Sequence, residues 1–161
     1  MTIAADLVAK RGADVDDILD RLDSCYAQNV VNALWADAVA NRAEGPVLFL
    51  LPNELAEVAA DARAAASSLA DRIGDLGGAI TADPAALVAR SVTGSFSLPE
   101  NCADVAAILT NAAAALDALI EAYQDFLDLV RAKDDVSYHL VVKLLAAELH
   151  RRAEIEATLA A

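Results

Sequence analysis

Three observations predict an all-α fold, a four-helix bundle with one long crossover: an alanine-rich and aromatic-poor composition, four long stretches with helical apolar spacing, and unequal links between them. Hydrophobic residues make up 57% of the 161 residues and aromatics only 4%. Alanine supplies much of that fraction, and it favours helix while allowing helix axes to approach closely. No segment alternates with period two for long enough to argue a sheet, and no repeat of solenoid length is evident. The length suits one domain, 1–161, with a substantial core.

The first helix is expected over about 13–43, with Val15, Ile18, Leu22, Cys25, Asn29, Ala33 and Ala36 on one stripe, ending at Glu44-Gly45-Pro46. Asn29 is the polar member of that stripe. A hydrophobic link, Val47, Leu48, Phe49, Leu50 and Leu51, precedes the second helix at about 53–75, whose stripe is Leu55, Val58, Ala59, Ala62, Ala65, Leu69 and Ile73. Gly77-Gly78 reads as its C-terminal cap, because it follows a helix and no strand leads into it. Residues 76–102 form a connection long enough to travel the bundle, with turn signals at Asp83-Pro84, Gly94 and Pro99 and a short helix from Pro84 to Arg90.

The third helix, about 103–132, carries Val105, Ile108, Ala112, Leu116, Leu119, Tyr123, Phe126 and Val130 on its stripe. A tight Lys133-Asp134-Asp135 link opens the fourth, about 135–160, with Val141, Leu144, Glu148, Arg151, Ile155 and Leu159 facing inward. Two short-linked hairpins joined by one crossover describe this bundle better than an up-down arrangement with three short loops.

The formal net charge is −13, from seventeen Asp, eight Glu, nine Arg and three Lys. Such a surface repels nucleic acid, and the one basic cluster, His150, Arg151 and Arg152, lies partly on the inner stripe. An Asp-rich, Lys-poor surface fits a high-salt, halophilic cytoplasm, where screening relieves self-repulsion. Charged residues interrupt every apolar run of membrane-spanning length, and the N-terminus lacks a signal-peptide core, so no membrane partner and a cytoplasmic location are expected. Cys25 and Cys102 are far apart, without metal-binding spacing, and read as buried small hydrophobes. His139 reads as a boundary or core histidine, and Glu121, Tyr123 and Tyr26 as candidates for a polar core contact.

The segments ELAEVAADARAAASSLADRIGDLGG and AYQDFLDLVRAKDDVSYHLVVKLLAAELHRRAEIEATL resemble the ferritin-like superfamily, nearest its archaeal Dps-like and bacterioferritin-like members, in helix length, turn placement and apolar register. The resemblance implies a di-iron centre with one carboxylate from the first helix, Glu-x-x-His from the second, one carboxylate from the third and Glu-x-x-His from the fourth. Carried over, those positions fall on Asn29, on Ala62 and Ala65, on Leu116, and on Glu148 and Arg151. Glu148 alone keeps a ligand type, and a guanidinium has no electron pair to donate.

These residues are therefore expected to be the vestige of a metal site, with no catalytic residues, no cofactor, and a Glu148–Arg151 pair in the emptied space completed by Asn29. Iron bound at a subunit interface through Asp61, Asp117, Glu121 or Asp125 is the alternative, because Dps relatives build ferroxidase sites between subunits. An alanine-lined core could hold a small ligand, although helices closing on Ala62, Ala65 and Ala112 is the simpler expectation. Val47, Leu48, Phe49, Leu50 and Leu51 form a candidate interface. The resemblance implies a homo-oligomer, dimer or shell, or assembly with a ferritin-like paralogue.

Overall fold

The computed structural model describes residues 1–161, the side chain of Pro52 excepted. Its helices are α1 (Ile3–Lys10), α2 (Val15–Arg42), α3 (Val47–Leu50), α4 (Pro52–Asp75), α5 (Pro84–Arg90), α6 (Val105–Val130) and α7 (Asp135–Ala160). Helix α1 is absent from the expected set, and the helix expected from residue 13 begins at Val15. Thr2 caps α1, Gly12 makes the turn with φ +78°, and Asp14 caps α2 through the amides of Asp16 and Asp17. The left-handed Gly12 and the Asp14 cap thus separate α1 from α2.

Helices α2 and α4 pack along their length, as do α6 and α7. At one end of the bundle Ile18 and Leu22 of α2 meet Ile73 of α4, Phe126 of α6 and Val141 of α7. At the other, Trp35 and Val39 of α2 meet Leu55 of α4 and Ile108 of α6. Both α4 and α6 therefore run antiparallel to α2 and parallel to each other, which obliges the chain between them to cross the full length of the bundle.

One face of α2 holds that crossover down. Asp23 accepts hydrogen bonds from the amide and hydroxyl of Thr81 (2.9 and 2.7 Å) and from Arg90 Nε (3.1 Å). Ser24 donates to the Arg90 carbonyl, Gln28 Oε1 accepts from the Thr93 amide, and Trp35 Nε1 donates to the Ser97 carbonyl. These side chains satisfy backbone groups of a segment with little regular structure of its own. The end of α4 is closed by Gly77 (φ +82°), with Gly77 N donating to Gly74 O and Gly78 N to Ile73 O. This is the paired capping pattern that a glycine beyond the last turn permits.

Helix α6 has a mean hydropathy of 1.5 over an 18-residue window, long and apolar enough by length and composition to cross a membrane. Its stripe of Ile108, Leu116, Leu119, Tyr123 and Phe126 is instead buried in the bundle. Val130 ends the helix two residues before the expected limit, because Ala132 adopts φ +62° to make the turn into α7. Cys25 and Cys102 are both buried free thiols, and burial pushes the Cys25 thiol up to about 12.

Helices α4 and α7 make few backbone approaches but share a buried ion pair. Arg72 donates to both oxygens of Asp134 (2.9 and 3.0 Å) and to Ser137 Oγ (2.8 Å), while Asp134 also caps α7 by accepting from the Ser137 amide. Burial acts to raise the Asp134 carboxyl, but the hydroxyl and amide of Ser137 together with Arg72 hold it below its ordinary value. Asp134→Ala leaves Arg72 buried and unpaired, and urea denaturation is expected to show a loss of about 3–5 kcal/mol. Since the folded value is depressed, the ionisation-linked stabilisation is complete above the unfolded value and lost as pH falls through the folded one. The gap between wild type and variant should therefore narrow below about pH 4.

Candidate functional site

The inner positions of α2, α4, α6 and α7 place Asn29, Ala62, Ala65, Leu116 and Glu148 among the buried residues. Glu148 is 5% exposed. The side chain of Arg151, one turn on, is 16% exposed. The phase of α7 read from periodicity holds through Ile155, whereas Leu159, expected inward, is exposed at the helix end. His150 points outward, 3.3 Å from Glu154.

Arg151 is shared unequally. One of its terminal nitrogens lies 3.4 Å from Glu148 Oε2, whereas the other lies 2.5 Å from Asp61 Oδ2 on α4. Asp61 thus takes the closer contact, although its side chain is 67% exposed and Glu148 is buried. Burial raises the Glu148 carboxyl above its ordinary value, Arg151 lowers it by less, and Asp61 raises it again. Desolvation therefore exceeds the attraction of the guanidinium, as expected when a buried charge has a single long partner.

Asn29 does not complete this pair. Its amide donates to the Cys25 carbonyl (2.9 Å) and to the Tyr123 hydroxyl (2.8 Å), and its Oδ1 is buried without a partner among the described residues. Burial, with smaller contributions from Cys25 and Glu148, raises the Tyr123 hydroxyl and holds it neutral. The polar core contact expected from Glu121, Tyr123 and Tyr26 is thus made by Asn29 and Tyr123. Glu121 lies on the exposed face of α6 and Tyr26 is half-buried. His139 is exposed, edge-on to Tyr138, rather than at a core boundary.

The space around Glu148 is not closed by the alanines. A half-open cavity of about 780 Å³ lies between the helices, with Ala62, Ala112, Leu116, Glu148, Arg151 and Ile155 on its inner wall. Ala65 and Asn29 lie outside that wall. The expectation that helices close on Ala62 and Ala112 therefore fails, because the inner wall of α7 here has only Ile155 as a large apolar side chain packing toward α6. The polar wall contributed by Gln28, Asn32, Thr110 and Asn111 was missed in the sequence because these residues fall beside the apolar stripes rather than on them.

The hydrophobic link also differs from its reading. It forms the single turn α3, in which Val47 is fully buried and Leu51 nearly so, while Leu48, Phe49 and Leu50 are exposed. The candidate interface thus contracts from five residues to three, since a helical turn sends Val47 and Leu51, four apart, to the same side.

A model of the ferritin-like domain matches residues 37–161. The chain belongs to the ferritin-like domain family. A dodecameric thioferritin, the bacterioferritin-related protein of Bacteroides fragilis, superposes with a TM-score of 0.89 at 20% identity, over 97% of this chain and 91% of the other. An archaeal Dps homologue from Halobacterium salinarum gives 0.80 at 26% identity, over 90% and 80% of the two chains. The Dps protein of Vibrio cholerae O1, described as one of the ferritin-like diiron-carboxylate proteins, gives 0.81 at 15% identity over 90% of each. No curated protein matches the chain.

This ferritin-like bundle has the frame of a di-iron protein, but its donors do not fit the metal. Among the described residues no three His, Cys, Asp or Glu side chains converge. Glu148 with a neutral amide, two alanines, a leucine and a guanidinium would leave two iron ions under-coordinated and under-neutralised. Because the folded value of Glu148 is raised, its ionisation destabilises the fold as pH rises through that value. Glu148→Gln should therefore increase the thermal unfolding midpoint at pH 7, with the difference vanishing below about pH 4. Arg151→Ala should lower stability by roughly 1–3 kcal/mol at pH 7, measured by urea denaturation.

Proposed function

We propose that this chain is a self-assembling ferritin-like subunit, located in the cytoplasm, whose own helical core does not oxidise iron. The observation that carries this reading is Arg151, which stands one turn from Glu148 and is drawn to Asp61, where an iron site would need an imidazole. Glu148 is partly neutralised by Arg151, and no three His, Cys, Asp or Glu side chains converge there among the described residues, which leaves too few anionic donors for two divalent cations. The role that remains for the scaffold is assembly, either with copies of itself or with a ferritin-like paralogue.

Assembly is supported by Leu48, Phe49 and Leu50, exposed together on α3. It is supported also by the fold shared with the dodecameric thioferritin. The formal charge of −13 makes subunits repel one another, so salt should strengthen association. That dependence suits the high-salt cytoplasm with which an Asp-rich surface is compatible.

A second reading, iron bound between subunits, is favoured by Glu121 and Asp125, which stand exposed one turn apart on α6. Asp61 and Asp117 suit it less, being held by Arg151 and Arg152. Metal analysis of the purified assembly separates the two readings. Iron retained by the wild type and lost from Glu121→Gln/Asp125→Asn would establish the second.

Two measurements test the first reading. Aerobic addition of ferrous iron, followed with an oxygen electrode, should give no oxygen consumption beyond that of iron in buffer; stoichiometric consumption would overturn it. Size-exclusion chromatography with light scattering should show an oligomer in molar KCl, and Phe49→Glu should shift it toward smaller species. A monomer at all salt concentrations would remove the assembly role.

A further inference from the structure

The cavity beside Glu148 has the size of a small-molecule site, about 780 Å³. Its walls divide by character. Val31, Val58, Leu116, Ile155 and the alanines of α6 make an apolar body, and Trp35 adds an aromatic wall whose position is fixed by its hydrogen bond to the Ser97 carbonyl. The amides of Gln28 and Asn32 also reach the wall, but they bond to each other at 2.7 Å, and Gln28 is further engaged by Thr93.

The ionisable groups on the wall are Glu148, Arg151 and Asp104. Asp104 stands away from the inner end, capping α6 through the Ala107 amide. Arg151 is turned toward Asp61 at 2.5 Å and reaches Glu148 only at 3.4 Å, through Oε2. Among the described residues Glu148 Oε1 accepts no hydrogen bond. Arg151 is therefore shared between Glu148 and Asp61, which lies outside the wall, and the buried Glu148 keeps one oxygen without a partner among the described residues while facing the cavity.

We propose that this cavity binds a small organic cation, a primary ammonium carried on a compact apolar body, with Glu148 as the anchoring carboxylate. The ammonium adds a charged donor to Glu148, whose single partner is Arg151 at 3.4 Å, at a position where a charge-assisted hydrogen bond is strong. The apolar body displaces water from the alanine and valine walls, to which Trp35 adds aromatic surface. The overall charge of −13 draws cations toward the protein and discourages anions. The site lies within one subunit and goes beyond assembly. It depends on the proposed function only in requiring Glu148 to be free of iron, which the oxygen-electrode measurement tests separately.

Trp35 is the one tryptophan of the chain, so its fluorescence reports on this cavity alone. Titration of the assembled protein with 2-phenylethylammonium should give a saturable change. The neutral isostere 2-phenylethanol should bind at least roughly tenfold more weakly, the scale of one hydrogen bond to a charged group. Glu148→Gln should erase the preference for the amine, and Ala112→Leu, which fills the cavity, should abolish the response to both probes, with circular dichroism confirming that each variant is helical. Equal affinity for amine and alcohol, no saturable response from the wild type, or unchanged amine binding in Glu148→Gln would overturn the proposal. The comparison of the two probes on the wild type decides the matter even if a variant does not fold.

Discussion

Arg72 and Asp134 form the most deeply buried ion pair of this bundle, and they join its two hairpins where the backbones of α4 and α7 approach little. An isolated arginine at 6% exposure would be strongly destabilising. It is tolerated because Asp134 offers both oxygens and Ser137 its hydroxyl, and because the same aspartate satisfies an amide at the start of α7. One side chain thereby sets where α7 begins and which end of α4 it meets. The phase of α7 follows, and with it the burial of Glu148, fourteen residues further along the same helix.

At Glu148 the balance of the same forces is reversed. Asp134 accepts three hydrogen bonds, two from Arg72 and one from the Ser137 amide, and its carboxyl is held below the normal range. Glu148 has one partner at 3.4 Å, and burial holds its carboxyl above the normal range. Both are acidic groups near an arginine on α7 or α4, so residue type does not separate them. The competing carboxylate does: Asp61 pulls Arg151 toward solvent, where ion pairing is weak but hydration is retained. Glu148 and Arg151 thus form a partly neutralised polar end to an open space.

That space interrupts the core. Large side chains fill the end of the bundle around Phe126 and the opposite end around Trp35, while α7 contributes to a separate small cluster through Ile155 alone. Alanine on α4 and α6 lets helices approach, but it does not oblige them to. Here the ties along α2, from Asp23 to Trp35, hold the crossover at a fixed distance, and the salt bridges of Arg151 and Arg152 span α7 to α4 and α6. These contacts brace the walls around the cavity.

The helical stripes, the glycine cap after α4, the short helix from Pro84 to Arg90 and the inward phase of Glu148 were all legible in the sequence, because each depends on neighbours within one or two turns. The N-terminal helix was not, since its separation from α2 rests on a single left-handed glycine, Gly12, followed by the Asp14 cap. The α3 turn was half legible: five apolar residues mark it, but only folding assigns Val47 and Leu51 to the core and leaves Leu48, Phe49 and Leu50 outside. What the sequence by itself determined is the set of helices and their buried faces, with Asn29, Ala62, Leu116 and Glu148 among the inward residues. The tertiary structure alone decided that Arg151 turns to Asp61, that Asn29 turns to Tyr123, and that the alanine-lined space stays open. Those outcomes depend on distances between residues remote in the chain, where burial and competing partners, rather than local spacing, set the free energy.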